Sequence, residues 1–107
     1  MESIALTEAV FYILLSLGEP LHGYGIMQNV EGMSNGRVRL AAGTLYGALS
    51  TMVGKGWIRA LDGDAPSRKK EYVITAQGHA VALQELERLR ELVRSGERVL
   101  GGQAHEE

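Results

Sequence analysis

Three histidines, His22, His79 and His105, are the residues of this chain best suited to proton transfer or metal binding, and their spacing supports neither. No two stand four apart on one helix, as a helical zinc pair requires. Asp62-Gly63-Asp64 has the opening of a calcium loop, but neither the later ligands nor a closing bidentate Glu follows, so it reads as a turn. No glycine run matches a phosphate-cradling loop, and no Ser, His and Asp can be grouped into a triad. With no cysteine, thiolate chemistry and disulfides are absent as well. The sequence therefore points to binding rather than catalysis, with no metal or cofactor.

What remains is a set of hydroxyls and cations in the middle of the chain: Thr44, Tyr46, Ser50, Thr51, Lys55, and then Arg68-Lys69-Lys70. Hydroxyls hydrogen-bond to base edges and phosphates, and clustered cations attract a polyanion. The charge distribution supports that chemistry more than the net charge of −2 does. Residues 1–36 carry four acids and no Lys or Arg, residues 37–70 carry seven cations against two acids, and residues 71–107 carry seven acids against four arginines. A basic segment on an acidic body steers a polyanion through its local field.

The helix that must carry the hydroxyls lies within Leu40–Trp57. Leu45, Leu49 and Met52 recur at i, i+4 and i+7, flanked by Ala48 and Val53, which makes one apolar stripe. Gly47, Ser50, Thr51 and Gly54 point the other way, with Tyr46 on the shoulder and Lys55 at the end. So small and hydroxylated a face suits a DNA major groove. It suits close packing on a neighbouring helix equally well, and the surroundings must decide.

Upstream, Thr7 is an N-cap with Glu8 in the first turn, and Leu6, Val10, Ile13, Leu14 and Leu17 follow at helical spacing until Gly18 and Pro20. Phe11 and Tyr12 lie off that stripe. So wide an apolar girth points to a second contact such as another subunit, with ordinary core packing as the alternative. His22–Val30 is a shorter helix with Ile26, Met27 and Val30 inward. Gly32–Gly36 is a turn, and the alternation of Arg37-Val38-Arg39-Leu40 predicts a short strand. Helix, turn and small-faced helix form the helix-turn-helix pattern.

Downstream, Trp57–Leu61 and Glu71–Thr75 read as strands joined by turn residues Asp62–Ser67. With Arg68-Lys69-Lys70 at one edge, this hairpin is a wing that can lie along the sugar-phosphate backbone, a solvated charge run being the alternative. Thr75 caps the longest helix, from Ala76 to Arg94 or beyond, with Glu-Arg pairs such as Glu85-Arg88 on its flanks. Ala82, Leu86, Leu89 and Val93 form a 4-3-4 seam longer than a small domain can cover, so it is a dimerisation helix, against intramolecular packing.

The length of 107 residues fits one domain, and 45% hydrophobic residues argue against disorder. No apolar run approaches the roughly 18 residues of a membrane span. The start lacks the basic region of a secretory signal, and a cytoplasmic location is expected. The fold class is mainly α with a small β-hairpin. Residues 1–75 make a winged helix-turn-helix DNA-binding domain, and 76–107 a C-terminal dimerisation helix and tail of one compact unit.

Leu21-His22-Gly23-Tyr24, Gly43-Thr44-Leu45-Tyr46, Gly56-Trp57-Ile58, Arg68-Lys69-Lys70-Glu71-Tyr72 and Thr75-Ala76-Gln77-Gly78 stand in the order and spacing of one family. Over about residues 6–100 the chain resembles the PadR family of bacterial transcriptional regulators, in its short form with a single C-terminal helix. The resemblance implies a winged-helix homodimer that represses by binding a near-palindromic double-stranded DNA operator. It implies an interface of the first and last helices, which here offers Leu6, Val10, Ile13, Ala82, Leu86, Leu89 and Val93. It places DNA contacts on Tyr24, Thr44, Tyr46, Lys69 and Lys70, and in many members a small, often aromatic effector releases DNA. Three residues depart from the family. Ala41 stands where a capping Ser or Thr is frequent, Gly47 replaces a common Pro, and Trp57 takes a position more often aliphatic. Two rival functions are a winged-helix module that docks on protein, and a small-molecule sensor whose pocket is lined by Phe11 and Tyr12 near Leu86 and Leu89.

Overall fold

A computed structural model describes residues 5–62 and 70–101. The elements in order are α1 (Glu8–Ser16), β1 (Leu21–His22), α2 (Gly23–Met33), α3 (Ala42–Gly54), β2 (Ile58–Leu61), β3 (Glu71–Ile74) and α4 (Ala76–Gly96), which continues as a π-helical stretch over Glu97–Gly101. The chain is mainly helical with a small antiparallel sheet.

Three of the four helices begin on a side-chain cap. Thr7 Oγ1 accepts the Val10 N–H at 3.1 Å, and Thr75 Oγ1 accepts the Gly78 N–H at 3.0 Å. At α2 the cap is an imidazole, His22 Nδ1 accepting the Gly25 N–H at 3.1 Å. Each satisfies one of the donors that a helix start leaves unpaired. The exception is α3, whose N-cap Ala41 has no side-chain hydrogen bond to give.

The predicted stripes converge on one core. Ile13, Leu14 and Leu17 from α1, Ile26 and Val30 from α2, and Leu45, Leu49 and Met52 from α3 are buried against Ile58, Tyr72 and Ala82. Their burial removes apolar surface from water at roughly 25 cal/mol per Å², which favours the folded chain. Phe11, Tyr12 and Trp57 pack on the rim, partly buried. The foot of the wing is locked to α4, where a Cβ on Gly78 would collide with the Trp57 carbonyl, so only glycine lets helix and strand approach this closely.

The sheet differs from the expected hairpin. β3 is central, with β2 on one side (Ile58↔Ile74 to Leu61↔Glu71) and the two-residue β1 on the other (Leu21↔Tyr72, His22↔Glu71). Two residues are too few to show a period in sequence. Conversely, Arg37-Val38-Arg39-Leu40 is not a strand. The Ser34 hydroxyl takes the Val38 N–H at 2.9 Å, and no partner strand lies alongside among the described residues. α2 runs on to Met33, past the expected end at Val30.

Candidate nucleic-acid interface

α3 presents its stripe of Leu45, Leu49 and Met52 to the core, which sets where its other side chains face. On one shoulder Tyr46 reaches across to the start of α2. Its hydroxyl lies where a Cβ on residue 23 would be, so Gly23 is the seat on which the ring rests. Tyr24, on the first turn of α2, and Lys70, at the foot of β3, complete an open cleft of about 250 Å³ with His22, Gly23 and Tyr46. Tyr24 and Tyr46 are 59% and 48% exposed, the Tyr46 hydroxyl end resting against Gly23. Lys70 Nζ stands 3.8 Å from Asp62 Oδ1. Two phenols, a lysine that leans towards an aspartate and the start of α2 make this cleft polar.

The other expected residues divide. Ser50 and Thr44 are exposed. Thr51 does not join Tyr46. With Ala48, Met52 and Lys55 it lines a groove of about 340 Å³ against Leu6, Thr7, Val10 and Trp57. There Lys55 Nζ lies 5.4 Å from the centre of the Trp57 ring, a cation–π distance. Arg68, Lys69 and the turn residues Gly63–Ser67 lie outside the described residues.

Along α1 and α4, the expected interface residues are unequal. Leu86 and Val93 are exposed on α4, while Leu6, Val10 and Leu89 are half-buried. Ala82 is almost covered at 9%, and Ile13 is fully buried. Ile13 is therefore a core residue with no surface for a second chain, because the packed helices and sheet close over it. Phe11, Tyr12 and Leu89 line one groove of about 370 Å³, together with Leu6, Glu8, Glu85 and Arg88. Leu86 lies instead in a neighbouring apolar groove of about 310 Å³ with Leu15 and Leu83, and Phe11 is the wall shared by both.

The structure adds contacts and burial that spacing alone did not show. Glu85 looks like a solvated flank residue of α4, yet it is 3% exposed. Its carboxylate accepts from Arg88 Nε at 2.9 Å and from the second guanidinium nitrogen at 2.6 Å, and Oε1 also accepts the Leu6 N–H at 3.4 Å. The Arg88 hydrogen bond, aided by the Leu6 N–H, holds the Glu85 carboxyl below its ordinary value against the opposing effect of burial. Arg37 likewise reaches back to Glu8 of α1 with both terminal guanidinium nitrogens, which holds the Glu8 carboxyl below its ordinary value and the guanidinium above its own. Gly23 belongs with these, since only the packed Tyr46 ring reveals its role.

The sequence profile of the transcriptional regulator PadR-like family matches residues 11–94. A search of curated proteins finds no significant match. Among solved structures, a transcriptional regulator from Clostridium thermocellum is similar at a TM-score of 0.73 and 20% identity, over 87% of this chain and 89% of that one. A PadR family regulator from Eggerthella lenta is similar at 0.72 and 18% identity, over 92% and 82%. A PadR family regulator from Clostridium difficile gives 0.69 and 21%, over 87% and 97%. At these identities the likeness is one of fold.

Proposed function

This chain belongs to the PadR-like family of transcriptional regulators, and from that premise we propose that it is a repressor that binds a near-palindromic duplex operator as a homodimer. One observation carries the DNA reading: Tyr24 of α2, Tyr46 of α3 and Lys70, just ahead of β3, converge on one open cleft at the start of α2. In this reading the cleft takes a phosphate, Thr44 and Ser50 face the groove, and the wing with Arg68 and Lys69 follows the backbone. Thr51 and Lys55, on the opposite shoulder of α3, contact the neighbouring stretch of the same duplex.

The apolar side chains left exposed along α4, among them Leu83, Leu86, Leu92 and Val93, support the homodimer. A run of this kind on one helix is costly to leave in water. Leu6, Val10, Leu86, Leu89 and Val93, with Ala82 at the edge, form the interface in this reading. The groove lined by Phe11, Tyr12 and Leu89 is the place for a small aromatic effector, which aromatic walls suit.

Selection of bound duplexes from a random pool tests the function directly. A two-fold symmetric consensus with half-sites about 34–36 Å apart, or a multiple of that, is expected. Recovery of an unenriched pool, or of a single asymmetric half-site, would overturn it.

A further inference from the structure

The cations of residues 37–70 form one basic block in sequence, but the fold gives those among the described residues different partners. Arg37, in the segment leading to α3, donates to Glu8 of α1 from both terminal guanidinium nitrogens, Nη1 at 3.2 Å. Arg39, closer still to α3, has its Nε 3.3 Å from Oε2 of Glu31 on α2. Both acids come from residues 1–36, the part of the chain without a single Lys or Arg. Lys70 leans towards Asp62 and Lys55 lies over Trp57. Among the described residues, Arg59 is the one cation of the block with neither an acid nor a ring against it.

All four partners in the two arginine pairs are half or more exposed, at 61% and 50% for Arg37 and Glu8, and 72% and 50% for Arg39 and Glu31. Ion pairs so open to water add little to stability. Their effect on a polyanion is larger. An arginine paired with a carboxylate, through two terminal nitrogens for Arg37 and through Nε alone for Arg39, forms a pair of no net charge, and it reaches a phosphate only by leaving an uncovered acid beside the DNA. We propose that Glu8 and Glu31 are specificity-determining residues, which take the place of phosphate on Arg37 and Arg39 and hold both arginines out of sequence-independent DNA binding. Discrimination then rests on α3 and the wing, and the general attraction for any duplex stays low. This rests on the DNA-binding reading above.

The test uses the full chain and a scrambled-sequence duplex, followed by fluorescence anisotropy across a salt series. Glu8→Gln and Glu31→Gln each free one arginine, and each is expected to steepen the slope of log affinity against log salt by about 0.9. At 0.1 M salt this is roughly a tenfold gain in scrambled-duplex affinity per variant. Arg37→Gln placed on Glu8→Gln is expected to return both slope and affinity to the wild-type values. An unchanged slope in either Gln variant, with wild-type binding intact, overturns the proposal alone. So does a gain that survives Arg37→Gln, because the loss of an acid would then act without the arginine. Failure of both Gln variants to fold shows the pairs to be structural and overturns it too. If the wild-type chain retains no duplex at low salt, the DNA-binding reading falls together with it.

Discussion

The Tyr46 hydroxyl occupies the space that a Cβ at residue 23 would need, so the ring rests against Gly23. This contact joins the shoulder of α3 to the start of α2, and with Tyr24 and Lys70 alongside it defines the cleft proposed to take DNA. Gly23→Ala is expected to swing the ring away at little cost in stability, since the atom in the way ends a side chain and alanine favours a helix. Duplex affinity should fall several-fold, as it should for Tyr46→Ala. The double variant should be no worse than Tyr46→Ala alone, and additive losses in an anisotropy cycle would show that the contact is not the cause.

Lys69→Ala with Lys70→Ala should weaken binding to every duplex and flatten the salt slope by roughly 0.9 for each phosphate no longer neutralised. Thr44→Ala, in contrast, should change which operator is preferred while leaving the slope alone. A gel-shift titration across a range of salt concentrations separates the two behaviours. A double lysine variant with the wild-type slope removes the wing from the interface.

The helix α3 starts without a side-chain cap and carries Gly47 in a position where a Cβ meets nothing within 4 Å. Ala41→Ser should therefore stabilise the fold by about 0.5–2 kcal/mol by capping α3, and Gly47→Ala by up to about 1 kcal/mol through helix propensity. Thermal unfolding should register about 4–8 °C per kcal/mol in a domain of this size. No rise in the midpoint for either variant would mean that the start of α3 is already held by other contacts.

Glu85 gives the fold a pH dependence of definite sign. Its carboxyl is depressed below the ordinary value of 4.5, by Arg88 first and by the Leu6 N–H as well. Its contribution is thus fully present above about pH 5 and is lost as pH falls through the depressed value. Glu85→Gln should lower stability at pH 7 and flatten the acid limb of a denaturation series. Glu85→Ala should cost about 1–3 kcal/mol, because the Leu6 N–H and a partly covered Arg88 lose their acceptor. An acid limb as steep in Glu85→Gln as in the wild type would assign the dependence to other carboxylates.

Leu86→Asp with Val93→Asp should convert the proposed dimer to a monomer in sedimentation equilibrium without unfolding it, since both side chains are exposed within one chain. A variant that sediments as the wild type does would place the interface elsewhere.

What the sequence determined by itself was whatever depends on neighbours within a few residues. Thr7 and Thr75 are legible as caps because a cap needs only a hydroxyl three residues ahead of an N–H. Leu45, Leu49 and Met52 are legible as core because a helix repeats every 3.6 residues. The tertiary structure alone decided the rest. Glu8 and Arg37 stand 29 residues apart, and Leu6 and Glu85 stand 79 apart, so no local pattern announces either contact. Little more than a turn of α3 separates Tyr46 from Thr51, yet the docking of its apolar stripe turns the first towards α2 and the wing and the second towards α1. Periodicity tells which side of a helix is wet, but only packing tells what that side faces.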